Sequence, residues 1–180
     1  MDNPIAVDLH GFGLPAQSLH LGGAFHFEQY RNGKLIDEWD SKNVVTNAGI
    51  NHALNVVFAG ATPVSPWYVS IFVNAYTPII TDTSANFVAD AGEATDKYSE
   101  SARPAFVEAA STAKSITNAA NKAQFTCSTA ATINGAALYS SAIKGSTSDI
   151  LMAASRFATG KPMEVGDLLL VTYTINGASA

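Results

Sequence analysis

Charge is what this chain has least of. Its 180 residues include ten Lys and Arg and fifteen Asp and Glu, 14% charged in all and −5 net, against a usual ~25%. Phosphate binding needs clustered cations, so so few bases argue against a nucleic-acid partner. Cys127 is the sole cysteine, which excludes an intramolecular disulfide framework. No apolar run approaches the ~20 residues that cross a bilayer as a helix, so no membrane partner is expected. The opening MDNPIAVDLHGFG has two acids and no base before Arg31, unlike a secretory signal. These absences point to a soluble protein made in a cytoplasm, or released from it by lysis.

Apolar residues make up 47% of the chain, within the globular range. A chain of this length buries roughly 70% of its unfolded surface, enough for a core of its own. Ala, Ser, Thr, Asn and Gly replace the missing charges. Such a polar but weakly charged surface suits contact with other proteins.

Residues 1–22 show neither a helical nor a strand period, and read as a disordered terminus or as an arm that orders on a neighbouring subunit. Then Phe25 and Phe27 alternate with Ala24, His26 and Glu28, as a strand requires. Asn32-Gly33 supplies the two positive φ values of a type I′ turn, and Leu35 to Trp39 returns as the partner strand.

In NAGINHALNVVFAG, Asn47 to Gly60, the period changes. Ile50, Ala53, Leu54, Val57 and Phe58 form one apolar stripe at helical spacing. Thr46 or Asn47 can cap the first turn, and Gly60 stands where a left-handed stop belongs. A helix this short is marginal alone, so the stripe is expected to lie on a sheet. Asn51, His52 and Asn55 then form the exposed face.

Trp67 to Val73 reads as a buried strand after Pro63 and Pro66. Residues 77–101 are polar, with a turn or short helix expected around Ala94 to Ser101. Arg103 to Val107 starts another strand, its proline at an edge. Ala123 to Ser128 alternates. Thr132 to Ser140 is a strand with Asn-Gly as a turn or bulge inside it. Ile150 to Phe157 fits strand or helical turn. A turn at Glu164 to Asp167 leads into the strand Leu168 to Ile175. Short strands at near-regular spacing predict a mainly β fold, a sandwich or barrel with one short amphipathic helix packed on it. The expected division is an arm over residues 1–22 and a β-sandwich domain over 23–180.

Catalytic motifs are missing: no G-x-S-x-G, no phosphate loop, no dinucleotide fingerprint. His52 has no acid or nucleophile beside it in sequence. His10, His20 and His26 lack zinc-ligand spacing. Asp37, Glu38 and Asp40 around Trp39 invite comparison with sugar-cleaving carboxylate pairs, but strand alternation puts Asp37 and Trp39 on one face and the other two acids on the opposite one. Asp82, Asp90, Glu93 and Asp96 could offer oxygens to calcium, without the spacing of an EF-type loop. Cys127 reads as a small core residue. No catalytic, cofactor or metal residues are assigned, and the reading is not an enzyme. The alternative is a carbohydrate-active or calcium-dependent enzyme on a β-sandwich, resting on the acid clusters alone.

The order of five segments carries a resemblance. A hairpin ending in DEWDSKNVVTNAGINHALNVVFAG is followed by WYVSIFV, TPIITDT, KYSESARPAF and NKAQFTCSTAATINGAALYSS. This order resembles the head decoration (cement) proteins of tailed bacteriophages, some loosely labelled tail or fibre proteins. It runs from about Phe25 to Ser141 and leaves the arm and the chain after Ser146 uncovered. It implies a jelly-roll-like sandwich and a virion structural protein. That protein would bind the major capsid protein as a homo-oligomer, dimer or trimer, on the capsid surface, and stabilise the head by bridging capsomers. The alternative is a phage tail or fibre component in tail assembly or host adhesion. The resemblance carries no catalytic residues and assigns no interface. From the sequence itself the expected interface is the arm (Ile5, Leu9, Phe12, Leu14, Leu19) and the polar helix face (Asn51, His52, Asn55).

Overall fold

Asn32 and Gly33 take φ values of 50° and 74°, and the chain reverses there as the type I′ signal predicts. The structure is a computed structural model and describes residues 6–7, 13–14 and 19–179. The turn joins β3 (Leu19–Arg31) to β4 (Lys34–Lys42), with Arg31 opposite Lys34. Phe25 and Phe27 on β3 are fully buried. The strand begins at Leu19, so the last four residues of the stretch read as arm run alongside the C-terminal strand. Nearer the N-terminus, β1 (Ala6–Val7) pairs with β2 (Gly13–Leu14).

Two antiparallel sheets make up the rest. In the first, β12 (Leu168–Ser179) pairs with β3 along one edge. On its other edge it pairs with β8 (Ser115–Thr117) and β9 (Ala123–Thr126). The second runs in the order β5 (Val44–Val45), β11 (Leu151–Met163), β10 (Ala131–Tyr139), β6 (Trp67–Phe72), β7 (Ala105–Phe106). Alternation sets which side chains meet between them. Phe25, Phe27, Phe125, Leu169, Val171 and Tyr173 of the first sheet share one core with Val69, Ile71, Ile133, Leu138, Ala153 and Phe157 of the second. Phe27 meets Phe157 edge-on at 4.6 Å. The ambiguous stretch before Phe157 is strand. Asn134 lies at an irregularity in the register: between the Ile133–Lys161 and Gly135–Arg156 pairs β10 has one residue and β11 four, so the extra residues are on β11. Gly135 is required at that point: a Cβ would lie 2.1 Å from the Phe72 ring and 2.2 Å from the Ser155 carbonyl oxygen.

The second sheet is covered on its other side as well. Helix α2 (Ser84–Phe87) runs into a single π turn, Val88–Gly92. Phe87 and Ala91 from this segment pack with Phe72, Ala137, Tyr139, Leu151 and Ala154. The helical turn of this region is at 84–92, while the turn expected around Ala94 to Ser101 is a reverse turn at Thr95 and Asp96, where the Lys97 N–H donates to the Ala94 carbonyl at 3.4 Å. Ala94 is held instead by its N–H on the Ile71 carbonyl, 2.9 Å, and Tyr98 bridges to Cys127. Both are drawn into the core, so this segment turns without forming a helix. Thr83 N–H donates to Asn86 Oδ1 at 2.7 Å, a cap across Thr-x-x-Asn that marks where α2 starts.

Two buried ion clusters fix the loops. Arg103, 1% exposed, gives two 2.7 Å bonds to Glu93, a third to Asp149 and a fourth to the Ser141 carbonyl at 3.1 Å. Its guanidinium lies 4.0 Å over the Tyr139 ring. Asp167, 1% exposed, takes two 2.8 Å bonds from Arg31, one from Gln29 at 2.9 Å and one from the Glu164 N–H at 2.9 Å. Arg31 and these donors hold its carboxyl down to about 2.

Candidate interaction surface

Helix α1 (Asn47–Phe58) follows β5 directly. Thr46 caps it: its hydroxyl accepts from Gly49 N–H at 3.0 Å and donates to the Leu151 carbonyl. Gly60 stops it at φ 70°. These features match the sequence. The face that α1 turns inward does not.

Gly49 is the buried residue of α1. It lies so close to β11 that a Cβ there would sit 2.5 Å from the Met152 carbonyl oxygen. One turn on, His52 meets Trp67 edge-on at 5.5 Å. Gly49, His52, Ala53 and Val56 thus form the inward face, at i, i+3, i+4 and i+7. A glycine lets the helix backbone approach the sheet closely, and that contact sets the rotation of the helix. The large apolar stripe is thereby turned out, contrary to expectation. Ile50 is 38% exposed, Leu54 45%, Val57 68% and Phe58 78%, and Leu21 of β3 beside them 37%.

Leu21, Ile50, Ala53, Leu54, Val57 and Phe58 line one apolar groove. On the other flank of α1 a second groove is lined by His52, Val56, Pro63, Val64, Trp67 and Met152. Ala53 and Val57 belong to both, so the apolar surface continues across the helix. Not one residue of α1 is charged. A connected apolar patch of this kind marks a contact site.

The expected interface residues fall in several places. Asn51 and Asn55 are exposed beside the stripe, and His52 is half-buried against Trp67. Leu14 lies in β2, and Leu19 is the first residue of β3, opposite Ser179. Ile5, Leu9 and Phe12 lie outside the described residues. The stripe was visible in the sequence, but its direction was not. The signal that indicates it is the second, small-residue face centred on Gly49 and Ala53, together with the absence of charge all round the helix.

The acid clusters do not converge. Glu28, Glu38 and Asp40 surround His26 on the outer face of β3 and β4, at 3.5, 3.4 and 2.9 Å. Lys122 also binds Glu28 and keeps its carboxyl below the usual range. Asp37 turns the other way to Lys161 at 2.7 Å, and Trp39 stacks on Phe27 at 5.2 Å rather than offering a face to a sugar. Asp82 is taken up by Tyr76 and the Ile79 N–H, Glu93 by Arg103, and Asp96 by Lys97. Among the described residues no His, Cys, Asp or Glu group is placed to hold a metal ion. His20 and His26 stand six residues apart on β3, roughly 20 Å along an extended chain. Burial raises the Cys127 thiol, which disfavours the reactive thiolate. No described helix is long and apolar enough to cross a membrane. Neither a family model nor a curated protein matches this chain.

Proposed function

We propose that this protein is a virion structural component of the decoration type, one that attaches to the outer surface of a tailed-phage capsid and stabilises the head by bridging capsomers. The observation that carries the reading is the exposed, charge-free stripe of α1 on a firmly packed two-sheet body. It is a surface built for contact with protein, on a fold with no assembled set of catalytic groups among the described residues. The two sheets and their shared core fit a β-sandwich of the jelly-roll-like kind that the resemblance implies. Bridging acts through multivalency: many modest contacts, each weak alone, add up when they are repeated around a closed shell. Standard protein interfaces bury about 1,600 Å² in total, and uncharged contacts of that order resist salt.

The test is reconstitution. Capsids stripped of this protein are mixed with it, pelleted, and heated at low and at high salt. The reading expects saturable binding and a higher disruption temperature that salt leaves unchanged. Stripped capsids that bind nothing, or that withstand heat as well as intact ones, contradict it. Association with isolated tails instead would support the tail or fibre reading.

A further inference from the structure

We infer that the groove between the free edges of β7 and β9 docks an extended segment of a partner protein, taken up by strand addition. This groove shares no residue with those beside α1 and stands independently of them.

Two strand edges bound it. β7 ends the second sheet, and no described strand lies beyond it. Val69 N–H donates to the Pro104 carbonyl at 2.8 Å, so alternation in the antiparallel pair turns the N–H and C=O of Ala105 away from β6. Val107, next along this edge, has neither backbone group bonded among the described residues. In the first sheet, Cys127 N–H reaches the Asp167 carbonyl at 2.8 Å. Thr126 faces the other way, its C=O accepting from Ser99 N–H and its own N–H donating to the Glu100 carboxylate. Gln124, two residues earlier on β9, therefore also presents its N–H and C=O outward. Ala105, Val107 and Gln124 line one groove of about 710 Å³, inside the roughly 300–1,000 Å³ range of ligand clefts.

Spacing, room and charge identify the occupant. The outward groups of this edge recur every second residue, roughly 6.6 Å along an extended chain. Another extended peptide repeats its own donors and acceptors at that interval, and main-chain bonds of this kind hold strand-addition complexes. Small Ala105, Ala119 and Ala120 leave room for a backbone, while Val107, 47% exposed, and Leu170 offer apolar seats for its side chains. Glu28 is neutralised by Lys122. Glu100 makes no ion pair among the described residues, and Lys144 gives its ammonium to the Thr95 and Tyr98 carbonyls at 3.2 and 3.3 Å. The groove thus keeps one unpaired carboxylate, which favours a peptide with a basic side chain at that point and disfavours nucleic acid.

NMR titration of the isotope-labelled full chain tests this, with blocked hexapeptides that alternate valine with threonine and carry lysine at each position in turn. The amides of Ala105, Val107 and Gln124 should shift saturably and those of α1 should not. N-methylation of the peptide amides should abolish the shifts. Glu100→Gln keeps an acceptor for the Thr126 N–H, so it should weaken the best lysine peptide about two- to fivefold and leave its alanine counterpart unchanged. Ala120→Trp, at an exposed position, should block the groove while melting as the parent does. The inference is overturned if no peptide shifts these amides at millimolar concentration, if binding survives N-methylation, or if Ala120→Trp binds like the parent. Shifts produced by maltotriose and not by the peptides would equally overturn the occupant.

Discussion

Arg103 is the residue with most depending on it. Removing its guanidinium strands Glu93 and Asp149, 2% and 7% exposed, as unpaired buried carboxylates, which typically costs 3–5 kcal/mol. Arg103→Leu should therefore lower the melting temperature by about 6–20 °C for a chain of this size, measured by calorimetry. Arg103→Lys should recover little, because one ammonium cannot make the paired bonds to Glu93. Asp167 gives a pH dependence. Its folded-state value, about 2, lies below the ordinary 3.8, so its contribution is complete above the unfolded value and is lost as pH falls from about 4 to 2. That amounts to about 2 kcal/mol at most. Urea unfolding at neutral pH and near pH 2.5 should show Asp167→Asn destabilised at neutral pH, with a smaller acid loss than the parent. Neither cluster was legible in the sequence. Glu93, Arg103 and Asp149 are 10 and 46 residues apart, and only the folded sheets bring them together.

At the scale of elements, local chemistry fixed most of what was legible. The Asn32-Gly33 turn, the Thr46 cap, the Gly60 stop and the alternation of β3 and β9 all depend on residues near in sequence. The failures share one cause. Residues 94–101 make the turn that the sequence indicates but no helix, because Ala94 is held by the Ile71 carbonyl and Tyr98 by a bridge to Cys127. The short strands β5 and β8 exist through pairing with distant β11 and β12. The rotation of α1 was misread because its period shows that a stripe exists, not which side is covered. Gly49 settles that. Gly49→Ala places a methyl group 2.5 Å from the Met152 carbonyl oxygen and 2.9 Å from its Cα, backbone that does not yield easily. It should destabilise the protein by about 1–3 kcal/mol, although alanine is the better helix former by about 1 kcal/mol. A Gly49→Ala protein more stable than the parent in urea would contradict this seating of α1. Gly135→Ala should cost more, since both neighbours of the added methyl are buried.

For the whole molecule, two packed sheets and the pairing of most described acids with bases or backbone donors leave the neutral apolar face of α1 as the surface on which the proposed function rests. The low charge of the chain is also a property of this surface. Contacts made through α1 carry no ion pairs, so particles held by them should keep their heat resistance when the salt is raised severalfold, whereas charge-mediated contacts would weaken. The measurement closest to the central claim is the copy number of this protein in purified particles from its source, relative to the most abundant shell protein, by quantitative mass spectrometry. A ratio near one or a simple fraction of it is expected, as a shell-wide clamp requires. Absence from particles, or a handful of copies confined to the tail, would contradict it.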